Sequence, residues 1–128
     1  SPIQPDKNAT DADYNAAVEF CINQLDKVSV IIASHNEYSN LFTTQLLDKK
    51  GLPHNHQHVH FSQLYGMSDN ITFNLAKSGC SVSKYLPFGP IKDVIPYLMR
   101  RAPAPSPVSP PPGREQVLIT KEMARRLK

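Results

Sequence analysis

The sequence predicts an α/β fold in which parallel strands are joined by crossover helices. Two observations predict it. Short strand-like runs, the first of them β-branched and apolar, alternate with stretches whose apolar residues recur at helical spacing, and helix-start and helix-stop residues punctuate the boundaries. The resulting order is α-β-α-β-α-β-α, the signature of strand–helix–strand units and a parallel sheet.

Residues 1–9, with Pro2, Pro5 and Asp6, read as irregular. Thr10 followed by Asp13 resembles a capping box, and Tyr14, Ala17, Val18, Cys21, Ile22 and Leu25 then share one helical face. Val28 to Ala33 is β-branched and nearly continuously apolar, as expected of a strand buried on both faces of a parallel sheet. Asn36 can cap a second helix to about Lys50, with Leu41, Phe42 and Leu46 inward and Gly51 ending it. His58 to Leu64 reads as the second strand. Ser68 or Asp69 caps a third helix carrying Ile71, Leu75 and Ala76, closed by Gly79. Val82 to Leu86 is the third strand. Pro90 stands at a first helical position before Ile91, Val94, Ile95, Leu98 and Met99, and Pro96 inside that helix should kink it.

Three parallel strands cannot close a barrel. A (β/α)8 barrel needs eight strands in about 250 residues, so these 128 residues suit its carboxyl-terminal portion. A flavodoxin-like sheet needs about five strands and is short by two. Charge and proline divide the chain further. Residues 1–102 carry nine basic and nine acidic groups, whereas Arg114, Lys121, Arg125, Arg126 and Lys128 face only two acidic groups beyond Pro103 and make up the whole net +3. Six of the twelve prolines lie between Pro103 and Pro112. The expected organisation is therefore a body over 1–102, a proline-rich linker or insertion over 103–113, and a basic helix over 114–128. A +3 confined to a tail does not make a nucleic-acid-binding surface. The longest apolar run, Val28 to Ala33, is too short for a membrane span, and two cysteines do not make a disulfide scaffold.

Three blocks carry chemistry: Ser34, His35 and Asn36; then Phe61 to Asp69; then Lys84 to Gly89, leading to Tyr97 through Arg101. In this order and spacing they resemble the carboxyl-terminal half of the FAD-dependent proline dehydrogenases, closest to the eukaryotic mitochondrial branch. The resemblance runs from about Asp11 to Ala102 and resumes weakly over Arg114 to Leu127. It implies a distorted (β/α)8 barrel whose last helix lies across the carboxyl ends of the strands. It implies oxidation of L-proline to 1-pyrroline-5-carboxylate by hydride transfer to FAD, with electrons passing to a quinone. The expected location is mitochondrial, on the matrix side of the inner membrane with peripheral association.

Read from the residues, Ser34, His35 and Asn36 follow a strand and occupy its carboxyl end, where a neutral imidazole and an amide can hydrogen-bond a phosphate or a flavin heteroatom. Taken alone, Asn36 caps a helix and His35 fills a turn; the resemblance makes all three FAD contacts. Arg100 and Arg101 can converge two guanidinium groups on one carboxylate, or lie solvated at a helix carboxyl terminus. The resemblance makes them the substrate-carboxylate anchors, with Tyr85, fifteen residues before Arg100, lining the same pocket. Leu64 becomes an apolar wall against the proline ring, with an ordinary core leucine as the equal alternative. A helix starting at Pro90 carries Arg100 about 15 Å along its axis, so Arg100 or Arg101 reaches Tyr85 only if that helix leaves the outer ring.

His54, His56, His58 and His60 alternate, but neighbours on one strand face stand about 6.6 Å apart, too far to share one ion, so no metal is assigned. Cys21 and Cys80 read as small buried hydrophobes. No catalytic residue is assigned, because the family's lysine and aspartate belong to earlier strands. Ala102 to Pro107 also replaces the stretch where bacterial members supply a glutamate. The 128 residues alone are therefore expected to be inactive. The rival reading is a non-catalytic interaction module, with Pro107 and Pro110 as a minimal PxxP ligand.

Overall fold

The computed structural model describes residues 3–101 and 114–127. The chain forms two compact units, Ser1–Tyr85 and Leu86–Lys128.

In the first unit, α1 spans Lys7–Ile22, starting earlier than the Thr10 box suggests. Asp6 is the cap: its carboxylate accepts from the Ala9 N–H at 2.8 Å, and the Thr10 hydroxyl donates to the Asp6 carbonyl at 3.0 Å. An aspartate in extended backbone outcompetes a threonine already within the turn.

Strands β1 (Val30–Ala33), β2 (Val59–Leu64) and β3 (Val82–Tyr85) form a parallel sheet in the order β1-β2-β3. The crossovers are α2 (Glu37–Lys49) and α3 (Asp69–Lys77). Strands added in sequence order, with crossovers of one hand, put both helices on the same face. A doubly wound sheet would instead reverse its order and carry helices on both faces.

The register makes the two faces explicit. Val30 pairs with Val59, Ile32 with Phe61, Phe61 with Val82 and Gln63 with Lys84 on the helix side. There Ile32, Val59 and Phe61 meet Val18 and Ile22 of α1, Leu47 of α2 and Ile71 and Leu75 of α3 in one core. The opposite face carries Ile31, Ala33, His60, Ser62, Leu64, Ser83 and Tyr85. Burial of the first strand on both faces is not what the structure shows: Ile31 is 66% exposed and Ala33 is exposed as well. Within this unit the helices cover only one side, and the other face stays open.

Two inward faces also differ from the apolar spacing. On α2 the buried residues are Ser39, Asn40, Thr43, Thr44 and Leu47, whereas Leu41 is exposed and Phe42 and Leu46 are half-buried. Thr43 and Thr44 can face inward because carbonyls of their own helix satisfy them: Thr43 donates to Ser39 O at 2.8 Å and Thr44 to Leu41 O at 2.7 Å. On α3, Ile71 and Leu75 are buried but Ala76 is exposed.

In the second unit, α4 (Ile91–Arg101) continues through Pro96, and the Pro90 carbonyl accepts from Asp93 and Val94, so Pro90 precedes the first helical residue. Helix α5 spans Arg114–Arg126. Its Glu122 accepts from Arg125 at 2.7 Å and Arg126 at 2.9 Å, which holds its carboxyl down at about 2. Among the described residues no helix is long and apolar enough to cross a membrane. The proline-rich segment with Pro107 and Pro110 lies outside the described residues.

Candidate functional site at the carboxyl rim of the sheet

Because all three strands are parallel, Ser34 to Asn36, the turn after Leu64 and the exit from Tyr85 share one rim. That is the end where strand–helix units bind ligands.

His35 is the junction of this rim. Its Nε2 accepts from the Leu64 N–H at 3.2 Å, and its Nδ1 lies 2.6 Å from Ser68 Oγ. A backbone N–H can only donate, so Nε2 must be unprotonated and Nδ1 carries the proton toward Ser68. His35 is therefore a neutral imidazole tying β1 to the turn after β2. Ser34 shapes the same bend. Its hydroxyl accepts from the Asn36 N–H at 3.0 Å, and its carbonyl accepts from Asn40 at 3.1 Å and Gln63 at 3.3 Å. The Ser34 side chain also bonds the Tyr14 phenol, whose burial pushes its pKa up despite that bond. Asn36 caps α2 through the Ser39 N–H at 3.2 Å.

The turn after β2 is held from its other side. Lys84 of β3 points to the helix side, where its ammonium meets the Asp69 carboxylate at 2.8 Å, the Met67 carbonyl, and the Leu64 carbonyl at 3.5 Å. Gln63, 2% exposed, joins Ser34 O to the Thr72 hydroxyl. Gln63, Ser68 and Lys84 fall within the chemistry-carrying blocks, but sequence reasoning gave them no role at the site. A signal existed for two of them: Gln63 and Lys84 interrupt the apolar rows begun by Phe61 and Val82 on the helix-facing side.

Leu64 and Tyr85 are register partners on the open face, and the Tyr65 N–H donates to the Tyr85 carbonyl at 2.9 Å. Leu64 is half-buried and Tyr85 53% exposed. The structure thus brings Ser34, His35, Asn36, Leu64 and Tyr85 to one rim. Arg100 and Arg101 stand on the last turn of α4 in the second unit, and the side chain of Arg101 lies outside the described residues.

The donors at the rim suit a phosphate- and carbonyl-bearing cofactor. Asn36 Oδ1 already caps the Ser39 N–H, so the first turn of α2 offers the backbone N–H groups ahead of Ser39, which have no intrahelical acceptors, and the NH2 of Asn36 stands beside them. Both ring nitrogens of His35 are engaged within the protein, so the imidazole has its ring face to offer a ligand. A groove of about 260 Å³ between α2 and α3, lined by Asn40, Thr44, Asn70 and Asn74, holds none of the residues expected at the site.

The alternating histidines each have other partners. His58 meets Ser29 at 2.8 Å, His60 meets Ser83 at 3.0 Å, and His56 accepts from the His58 N–H at 3.1 Å. Among the described residues no group of three or more His, Cys, Asp or Glu is placed to hold a metal ion. Cys80 is buried, which pushes its thiol pKa up, and Cys21 is half-buried; both are free.

His54 behaves differently. Its Nδ1 reaches the Ser78 carbonyl at 2.8 Å and its Nε2 the Asp48 carboxylate at 2.6 Å, so both nitrogens face acceptors and the imidazolium satisfies both. The Ser78 carbonyl, then Asp48, raise its pKa above 6.5. A raised folded pKa contributes stability that is fully present below the unfolded value and lost as pH rises through the folded one. The expected difference between wild type and His54→Gln is about 0.5–1 kcal/mol near pH 6, shrinking toward pH 9. Urea midpoints across that range check it, and a difference that grows with pH would contradict it.

Comparison with known proteins completes the picture. Residues 1–103 match the family described as proline dehydrogenase. Proline dehydrogenase 1, mitochondrial, of Bos taurus is 40% identical over 98% of this chain and 22% of its own length. The Homo sapiens protein of the same name is 38% identical over 99% of this chain and 22% of its own. A hydroxyproline dehydrogenase of Bos taurus is 37% identical over 98% of this chain and 28% of its own. The chain thus spans between about a fifth and just over a quarter of the length of these relatives. No solved structure matches it. A singly wound parallel sheet, a Ser-His-Asn rim and a family match over four fifths of the sequence converge, and the chain belongs to the proline dehydrogenase family.

Proposed function

We propose that this chain is the carboxyl-terminal part of a mitochondrial FAD-dependent enzyme that oxidises L-proline to 1-pyrroline-5-carboxylate. The observation that carries the reading is the rim itself: His35 locks the end of β1 to the amide of Leu64, opposite Tyr85. Three chain segments of the expected pocket thereby share one rim.

In this reading the sheet's open face looks into the interior of a (β/α)8 barrel completed by strands outside these residues. Leu64 and Tyr85 wall the pyrrolidine ring. Arg100 and Arg101 take the substrate carboxylate, which orients the carbon beside the ring nitrogen. Asn36, the α2 N-terminus and Ser34 hold FAD, and the face of His35 packs beside it. When bound, FAD supplies a two-electron acceptor for the hydride. Burying the ring against Leu64 excludes water from the reacting carbon. Electrons pass onward to a quinone, which places the enzyme peripherally at the matrix side of the inner membrane.

The test is proline-dependent reduction of a quinone analogue by the full-length protein that carries this chain, assayed against trans-4-hydroxy-L-proline. The similarity to a hydroxyproline dehydrogenase makes the hydroxylated ring the necessary comparison. Reduction with L-proline supports the reading, and no turnover with either substrate refutes it. The 128-residue chain alone should retain no flavin absorbance after desalting. Binding of a polyproline-recognition domain that depends on Pro107 and Pro110, without turnover, would favour the interaction-module reading.

A further inference from the structure

We infer that Lys84 is a positioning residue that sets both ring walls of the pocket, an inference that rests on the proposed proline-oxidising site. Strand alternation sends Lys84 to the helix side and places its neighbour Tyr85 on the open face. One residue therefore fixes two things: its backbone carries Tyr85, and its side chain grips the turn that follows Leu64.

The grip is well matched chemically. An ammonium group has three protons, and Lys84 Nζ faces three acceptors: Asp69 Oδ1 at 2.8 Å, the Met67 carbonyl and, most distant, the Leu64 carbonyl at 3.5 Å. Its side chain is 21% exposed, so solvent screens these contacts less than it does at an open surface. What it holds closes on itself through one backbone bond among the described residues, Met67 N–H to the Leu64 carbonyl at 3.2 Å. The turn contains Gly66 at φ 78° and Ser68 at φ 53°, and the left-handed region is costly for a serine. Ser68 offers no side-chain bond to cap α3, whose entry is fixed instead by His35 on Ser68 Oγ and Lys84 on Met67 and Asp69. The peptide groups on both sides of the Leu64 Cα are thus tethered, the N–H to His35 and the carbonyl to the Met67 N–H at 3.2 Å, with Lys84 adding a longer contact to that carbonyl at 3.5 Å and gripping Met67 and Asp69 beyond it. Removing one tether lets Leu64 move against Tyr85 and changes the width of the slot between them.

A slot set by position predicts a change in ring-size discrimination. In the full-length protein, Lys84→Met keeps the stem and removes the charge. Its KM for L-proline should rise about tenfold, with kcat within about threefold. The preference for L-proline over the six-membered L-pipecolate, as a ratio of kcat/KM values, should fall about fivefold. Simple destabilisation would lower both substrates alike and leave that ratio unmoved, which would overturn the inference. Lys84→Arg, which can still donate to carbonyls and carboxylate, should restore most of the ratio. Asp69→Asn, at a more exposed position, should give a smaller shift in the same direction.

Hydrogen exchange provides a readout free of turnover. In the 128-residue chain, Lys84→Met should speed exchange at the amides of residues 64–69 by about tenfold and leave those of β1 unchanged. Unchanged exchange there would overturn the clamp even if the enzyme turns over proline. Wild-type protein inert toward L-proline would instead overturn the proposed function, and with it the role of Lys84 in a proline pocket.

Discussion

Phe61→Ala is expected to destabilise the chain by about 3–5 kcal/mol, the cost of emptying a large aromatic site in a close-packed core. Phe61 lies on the central strand, is 0% exposed, and pairs with Ile32 on one side and Val82 on the other. Small domains have about 5–15 kcal/mol in all, so this one change should remove much of the stability. Ile31→Ala is the control. It lies on the neighbouring strand but on the open face, at 66% exposure, and should cost no more than about 0.5 kcal/mol. Urea denaturation of the purified chain separates the two. Equal losses would mean that the open face is covered in solution, and that the one-sided core is wrong.

Replacing either Arg100 or Arg101 by alanine in the full-length protein should lower kcat/KM for L-proline by about 30- to 1000-fold. That range corresponds to about 2–4 kcal/mol, the cost of leaving a desolvated carboxylate without one of its charged partners. Lysine at either position keeps the charge but not the two-pronged geometry, and should recover only part of the loss. Steady-state kinetics with L-proline check this, and a change below threefold for both alanine variants would remove the arginines from the pocket. The two residues are adjacent on α4, so the double variant should lose less than the sum of the single losses if they share one carboxylate.

The sequence was most legible where local physics alone decides. Asn36 and Gly51 bound α2 within a residue, because a side-chain cap and a left-handed glycine act through nearest neighbours. The first strand emerged from a β-branched apolar run and the other two as short strand-like stretches between helices, with ends moved inward by a residue or two at Val28, His58 and Leu86. Spacing misled where the buried residue was polar. Thr43 and Thr44 turn inward on α2 because each hydroxyl bonds a carbonyl of its own helix, which no count of apolar positions registers. The candidate site divided the same way. Ser34, His35 and Asn36 were visible as a block at a strand end, but the roles of Gln63, Ser68 and Lys84 were not, since they depend on partners 9 to 33 positions away on other elements.

The sequence by itself determined the alternation of strands and helices, which follows from residue type and short-range spacing, and its resemblance already pointed to the family. Only the tertiary structure decided that one face of the sheet is open, that His35 is a neutral tether using both ring nitrogens, and that Lys84 grips the turn beyond Leu64. Each of these depends on strand register and on the side taken by the crossovers, which bring distant residues within hydrogen-bond distance.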